Sequence, residues 1–359
     1  LKVIKALYAH IESESANLQA SEKSLVASID KTYDLYFQML ELIVDIARYA
    51  EERQEIARHK KLPTYEDLNP NRKFVENAVI ARIADDEAIQ AYLGKHALGW
   101  SQYPELIKSI YNRLIQTDYY KRYMASEQRS FKEDLQLVTD FYTLELENDE
   151  ALEDVLEEQS ILWSDDLGFA LLMVIRTLSG MREAQTSVKL LPKFKSPDDL
   201  EFAKTLFEKS ALQFKQNQTY IDKFTRNWDV ERIAFMDNLI MSTAMTEIVT
   251  FPSIPVKVSL DEYIEISKYY STQGSSTFIN WTRSSSRSNR KARSRRPDGD
   301  SYETSRQTYR SSGNRGCGLI MHTAQNRRAQ RPDTGTDRLA ADGRRCRHTQ
   351  TRAHALGRN

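Results

Sequence analysis

Cysteine is almost missing from this chain. There are two in 359 residues, Cys317 and Cys346, and both lie beyond residue 280. Residues 1–280 therefore hold no disulfide framework and no thiolate metal site, a pattern that fits a cytoplasmic protein. Histidine is equally sparse there: His10, His59 and His96 stand far apart, with no metal-ligand spacing among them. Phosphate-cradling glycines are absent too. Gly94-Lys95 has no upstream glycine partner, and no G-x-G-x-x-G occurs. No run reaches the roughly 18 apolar residues that a membrane span needs, and "FALLMVI" (169–175) reads as a core helix. No cofactor, metal or membrane partner is expected. The chain opens on Leu1 and not on Met, so residues preceding it are expected in the natural protein.

Net charge is zero overall but divides sharply. Residues 281–359 carry 18 Arg, 1 Lys and 6 acids, a balance of +13, whereas residues 1–280 carry 32 basic and 45 acidic residues, a balance of −13. Lys outnumbers Arg 20 to 12 in the first part and is outnumbered 18 to 1 in the second. Such a change along one gene points to two origins. Residues 1–280 suffice for one large or two small domains.

That body reads as all-α. Val3, Leu7 and Ile11 form a stripe at helical spacing, and residues 24–59 run through Ile29, Tyr33, Tyr36, Leu40, Ile43, Ile46 and Ala50 without Pro or Gly. Pro63 and Pro70 mark a loop at 61–74, after which helical patterns cover 75–93, 103–125, 129–159 and 166–180. Ser196-Pro197 reads as the N-cap and first position of a further helix. Residues 227–251 read as an amphipathic helix ended by Pro252. Ser259 and Glu262 have capping-box spacing, which predicts a helix start at Ser259. Ser275 or Ser276 then caps another helix beginning "TFIN".

Catalytic chemistry has little support. Asp85-Asp86 and Asp165-Asp166 could be imagined as acid/base pairs, but in an acidic helical protein such pairs usually lie on a solvated face or complement a helix dipole. "DYYKRYM" (118–124) could form a stacking platform beside Lys121 and Arg122, or simply pack a core. No enzyme activity is expected.

The region 228–280 resembles the transcription antitermination factor NusB family. The resemblance rests on an apolar helix ending in "AMTEI", the connector "PVKVSLDEYIEISKYYS" and the terminal "SSTFIN". Pro255, Lys257, Val258, Glu262, Glu265, Lys268, Phe278 and Asn280 stand at matching positions. "KVIKALYA" at the start is similar to the family's first helix, and the length is similar to that of its enlarged Bacteroidetes-type members. The resemblance implies a NusB-like double helical bundle with a helical insertion in the middle; the composition beyond residue 280 adds the expectation of a disordered C-terminal tail. The expected divisions are 1–60 for the N-terminal helices, 61–200 for the insertion, 201–280 for the C-terminal bundle and 281–359 for the tail. It further implies a bacterial factor that binds boxA RNA of ribosomal transcripts with ribosomal protein NusE, within the RNA polymerase antitermination complex. The alternative is an acidic, all-helical protein–protein scaffold that does not bind RNA.

Carried over by position, Lys2 and Lys5 would meet RNA and Phe278 would stack on a base. Tyr8, Asp237 and Glu247 would face NusE. Each has a plainer reading: Tyr8 and Phe278 as core anchors, Glu247 as a surface charge, Lys257 as a structural residue. The family's Arg-rich N-terminus is absent, and Gly274 stands where the family often has an acid.

After "FIN" the family continues G-x-L-D, whereas this chain reads "WTRSSSRSNRKARS". Trp281 requires TGG and Thr282 requires ACN, so a shifted frame gives Leu, Met or Val followed by an obligatory Asp. Degenerate codons then permit Leu-Asp-Gln-Ile-Val-Lys. Residues 281–359 are accordingly expected to be an out-of-frame translation. The rival reading is an Arg/Ser arm that binds nucleic acid non-specifically.

Overall fold

A single long helix organises the molecule. α2 (Leu18–Arg58) spans 41 residues without proline or glycine, the two residues that most destabilise a helix interior. Its length is about 60 Å at 1.5 Å per residue. Asn17 caps it, its side-chain oxygen accepting from the Ala20 N–H at 3.0 Å. From Asp34 to Val44 every residue is buried, so this stretch is wrapped on all sides.

The computed structural model describes residues 1–146, 148–224 and 234–270. These all fall in one of the chain's two units, Leu1–Asp298. Among them there is no strand, and the chain is all-α. Ser275, Ser276, Phe278, Asn280 and the 281–359 tail lie outside the described residues, as does most of the start expected for the 227–251 helix.

Two apolar cores share α2. Its later part, Leu35 to Ala50, joins α4 (Ala78–Ala84), α5 (Glu87–His96), α6 (Pro104–Leu114), α7 (Asp118–Ala125), α8 (Phe131–Leu144), α9 (Glu150–Gln159) and α10 (Leu167–Gly180). The short α3 (Tyr65–Leu68) lies against α2 beyond the turn that ends it. The other core takes Leu25 from the start of α2 and joins it to α1 (Lys2–Glu12), α11 (Asp199–Phe224), α12 (Phe235–Thr250) and α13 (Val256–Tyr270). The region expected as an insertion thus shares its core with the second half of α2.

Several expected helices are divided, each at a side chain that caps a new one. The 75–93 pattern breaks at Asp86. One carboxylate oxygen accepts from the Ala88 and Ile89 N–H groups, both at 3.1 Å, and the other from the Val188 N–H at 2.8 Å. The 103–125 pattern breaks at Thr117, which caps α7 through the Tyr120 N–H. The 129–159 pattern breaks before Asp149, which caps α9 and also receives Arg113. Apolar spacing is blind to these breaks because the flanking helices keep the same buried face.

One expected cap forms and one does not. The regular turns of α11 start at Asp199, and Ser196 caps the turn that leads into them: its hydroxyl accepts from the Asp198 N–H at 3.3 Å, and the Asp199 carboxylate accepts from the Ser196 N–H at 2.9 Å. α13 starts at Val256, its first turn closing on the Pro255 carbonyl, which places Ser259 a turn inside at 1% exposure. The Ser259 hydroxyl has no hydrogen-bond partner, and the capping box is not made. α12 does end before Pro252, but it is not one-sided. Leu239 through Ala244 are all buried, because α11 and α13 pack against it and α1 adds a third contact.

Candidate nucleic-acid interface

On α1 the apolar residues Val3, Ile4 and Leu7 face the core, which leaves Lys2 and Lys5 together one turn apart on another face. Both ammonium groups are met by the loop between α9 and α10, which contains a short 3₁₀ turn at Ile161–Trp163. Trp163 is buried and anchors that loop, its indole N–H donating to the Lys31 carbonyl at 2.6 Å. Asp166 accepts from the Thr32 hydroxyl at 2.7 Å and pairs with Lys2 at 2.6 Å. Lys2 also donates to the Leu162 carbonyl at 2.7 Å. Lys5 donates to the Ser164 carbonyl at 2.9 Å and to the Asp165 carboxylate at 2.7 Å. Its Nζ lies 5.9 Å from the centre of the Tyr270 ring at the end of α13.

Burial lowers the Lys2 pKa, against the raising effect of the hydrogen bond and charge of Asp166. Burial alone would raise Asp165, but hydrogen bonds from Lys5 and Tyr270, with the two ammonium charges, hold its carboxyl below the usual range. Tyr270 is pushed up, first by burial and then by donating to Asp165. Neither Asp165 nor Asp166 is arranged as an acid/base couple; each accepts from a lysine. Asp86 of the other acidic pair is a helix cap.

Tyr8 is 41% exposed and meets Phe235 edge-on at 5.6 Å between ring centres, so it is not a core anchor. Phe235 in turn meets Phe214 at 5.9 Å. Asp237, at 3% exposure, and Glu247, at 8%, both lie inside the second core region on α12. Glu247 accepts from the Tyr263 hydroxyl at 2.8 Å and is therefore no surface charge. Lys257 is exposed and pairs with Asp261 one turn on, at 3.1 Å. Phe278 lies outside the described residues.

The structure thus brings Lys2, Lys5 and the end of α13 together, while Asp237 and Glu247 are separate and enclosed. Asp165, Asp166 and Tyr270 complete the cluster. The acidic pair was visible in the sequence, but nothing there connects it to lysines 160 residues away.

The tyrosines of "DYYKRYM" do not form an exposed platform. Tyr120 and Tyr123 are buried; Tyr123 donates to Asp134 at 2.7 Å, and the Lys73 ammonium sits 4.4 Å from its ring centre. Among the described residues, no group of three His, Cys, Asp or Glu could hold a metal ion, and no helix is long and apolar enough to cross a membrane.

Residues 169–280 match the family model described as "NusB family". This span takes in nearly all of α10 and the whole of α11–α13. The chain is 39% identical over 90 residues to the transcription antitermination protein NusB of Salinibacter ruber, covering 25% of this chain and 56% of that protein. It is 31% identical over 83 residues to the protein of the same name from Natranaerobius thermophilus, covering 23% and 60%. With that of Chloroherpeton thalassium it shares 42% over 72 residues, covering 20% and 34%. The matches therefore span at most about three fifths of these relatives' lengths. No solved structure matches. Residues 169–280 of this chain are thus similar to the NusB family.

Proposed function

We propose that this protein is a non-catalytic transcription antitermination factor that binds boxA RNA of ribosomal transcripts together with ribosomal protein NusE, in the RNA polymerase antitermination complex. The observation that carries the reading is the meeting of α1 and α13. Lys5 lies over Tyr270, the last described residue before the "STFIN" segment of the matched region. Basic side chains and a candidate stacking residue are what single-stranded RNA requires, since it offers phosphates and unstacked bases. Tyr8, half in solvent beside Phe235, is the candidate NusE contact on the same helix; Asp237 and Glu247 would act on that partner through the packing of α12.

Fluorescence anisotropy with a labelled boxA RNA and a scrambled RNA of equal length tests the proposal. The full chain is expected to prefer boxA. K2Q/K5Q should weaken binding and flatten the salt dependence of log K by about 1.4, at about 0.7 per lost single-strand phosphate contact. Equal affinity for both RNAs, with K2Q/K5Q unchanged, overturns it. That result would favour the scaffold reading, for which the exposed carboxylates Asp154, Glu157 and Glu158 on α9 are the specific observation.

A further inference from the structure

One short loop supplies all four oxygen ligands that hold Lys2 and Lys5: the carbonyls of Leu162 and Ser164 and the carboxylates of Asp165 and Asp166. It surrounds the two ammonium groups as a pair of phosphates would, with anionic and carbonyl oxygens at 2.6 to 2.9 Å. The loop is fixed to α2 by Trp163 and by the Thr32–Asp166 hydrogen bond, so it is independently anchored and does not depend on α1 for its position.

Asp165 sits at φ +66°, in the left-handed region that aspartate visits more readily than most residues with a Cβ. The Ser164 hydroxyl is buried without a partner. The outer pair is accessible: the Lys5 side chain is 33% exposed and that of Asp165 is 51% exposed.

We infer that Asp165 and Asp166 are specificity-determining residues for RNA binding: they occupy Lys2 and Lys5 in the free protein, and an RNA must displace them to use those lysines. This rests on the RNA-binding reading above. Isolated phosphates gain little at such a site, because each new ion pair replaces an existing one. An RNA whose bases are also recognised gains enough from those contacts to make the exchange. The aspartates thus suppress non-specific binding more than specific binding.

The test is anisotropy on the full chain, using the boxA RNA and the scrambled RNA. D165N/D166N is expected to bind scrambled RNA about ten-fold tighter, with a salt slope steeper by about 1.4, and to gain less on boxA. K2Q/K5Q/D165N/D166N should show no gain over K2Q/K5Q, since the effect acts through those lysines. E157Q/E158Q makes the same charge change on α9 and should leave both affinities near those of the parent. D165N alone keeps the Asp166–Thr32 anchor and should give part of the gain, which guards against misfolding of the double variant. No gain in D165N or D165N/D166N, or an equal gain in E157Q/E158Q, overturns the inference. If K2Q/K5Q still weakens the parent in that case, the RNA-binding reading stands; if it does not, both fall.

Discussion

Replacing Tyr263 with Phe removes one oxygen from the contact between α12 and α13 and leaves the ring in place. The hydroxyl donates to Glu247 at 2.8 Å, and both side chains are almost wholly enclosed. A hydrogen bond to a charged group contributes about 1.5–3 kcal/mol, and a buried carboxylate deprived of its donor retains its desolvation penalty. Y263F should therefore destabilise the protein by about 2 kcal/mol. For a folded body of this size, that is a fall in Tm of about 4–8 °C. E247Q retains an acceptor of the same shape and should lose less. In the cycle of Y263F, E247A and the double variant, followed by circular dichroism during urea unfolding, the coupling should reach about 1–3 kcal/mol. Losses that simply add, or a Y263F variant within about 0.5 kcal/mol of the parent, a change ordinary for surface substitutions, would refute the reasoning.

Two further outcomes follow from the structure and one from the sequence. Burial pushes the Tyr36 phenol up to about 12, and raises Tyr123, Tyr142 and Tyr263 as well. Unfolded tyrosines ionise near pH 10, so the folded chain retains these protons longer. The Tyr36 contribution is complete below about pH 10 and is lost as pH rises through about 12, at about 1.4 kcal/mol per pH unit between those values; the contributions of the other three are lost over a range that extends higher. Phenolate absorbance should accordingly rise in two stages, the second coinciding with loss of helix. Lys73 is 2% exposed and donates to the Tyr123 and Ser126 carbonyls at 2.8 and 3.0 Å. K73A leaves those acceptors and Glu133 without their cation and should cost about 3–5 kcal/mol in urea unfolding, with K73M less damaging because it refills the volume. Resequencing the gene across codons 278–284 should reveal a frame change after Asn280; an uninterrupted frame in close relatives would show the Arg-rich tail to be native.

How much of this was legible depended on which interactions were local. α2 could be read directly, because a run free of proline and glycine with an apolar repeat has few alternatives. The breaks at Asp86, Thr117 and Asp149 could not, since Asp and Thr occur inside helices too and cap only when the chain turns there. Ser259 and Glu262 had the spacing of a capping box, yet the start at Val256 buried the serine within the helix. Residues 227–251 read as amphipathic, yet the structure encloses the polar residues Asp237, Ser242, Thr243, Thr246 and Glu247 of α12. Their polarity is absorbed by internal bonds, such as that of Asn217 to Ser242 and Thr246. Lys2 and Lys5 were identifiable only through the resemblance of "KVIKALYA" to the family's first helix. Their aspartate partners were not, because a contact across 160 residues leaves no periodic trace.

The most direct test of the central claim is titration of the full chain into labelled boxA RNA, with and without NusE, against a scrambled RNA. The account predicts a preference for boxA that strengthens when NusE is present, and the linkage requires RNA to tighten NusE binding by the same factor. Equal binding to both RNAs, unchanged by NusE, would contradict it.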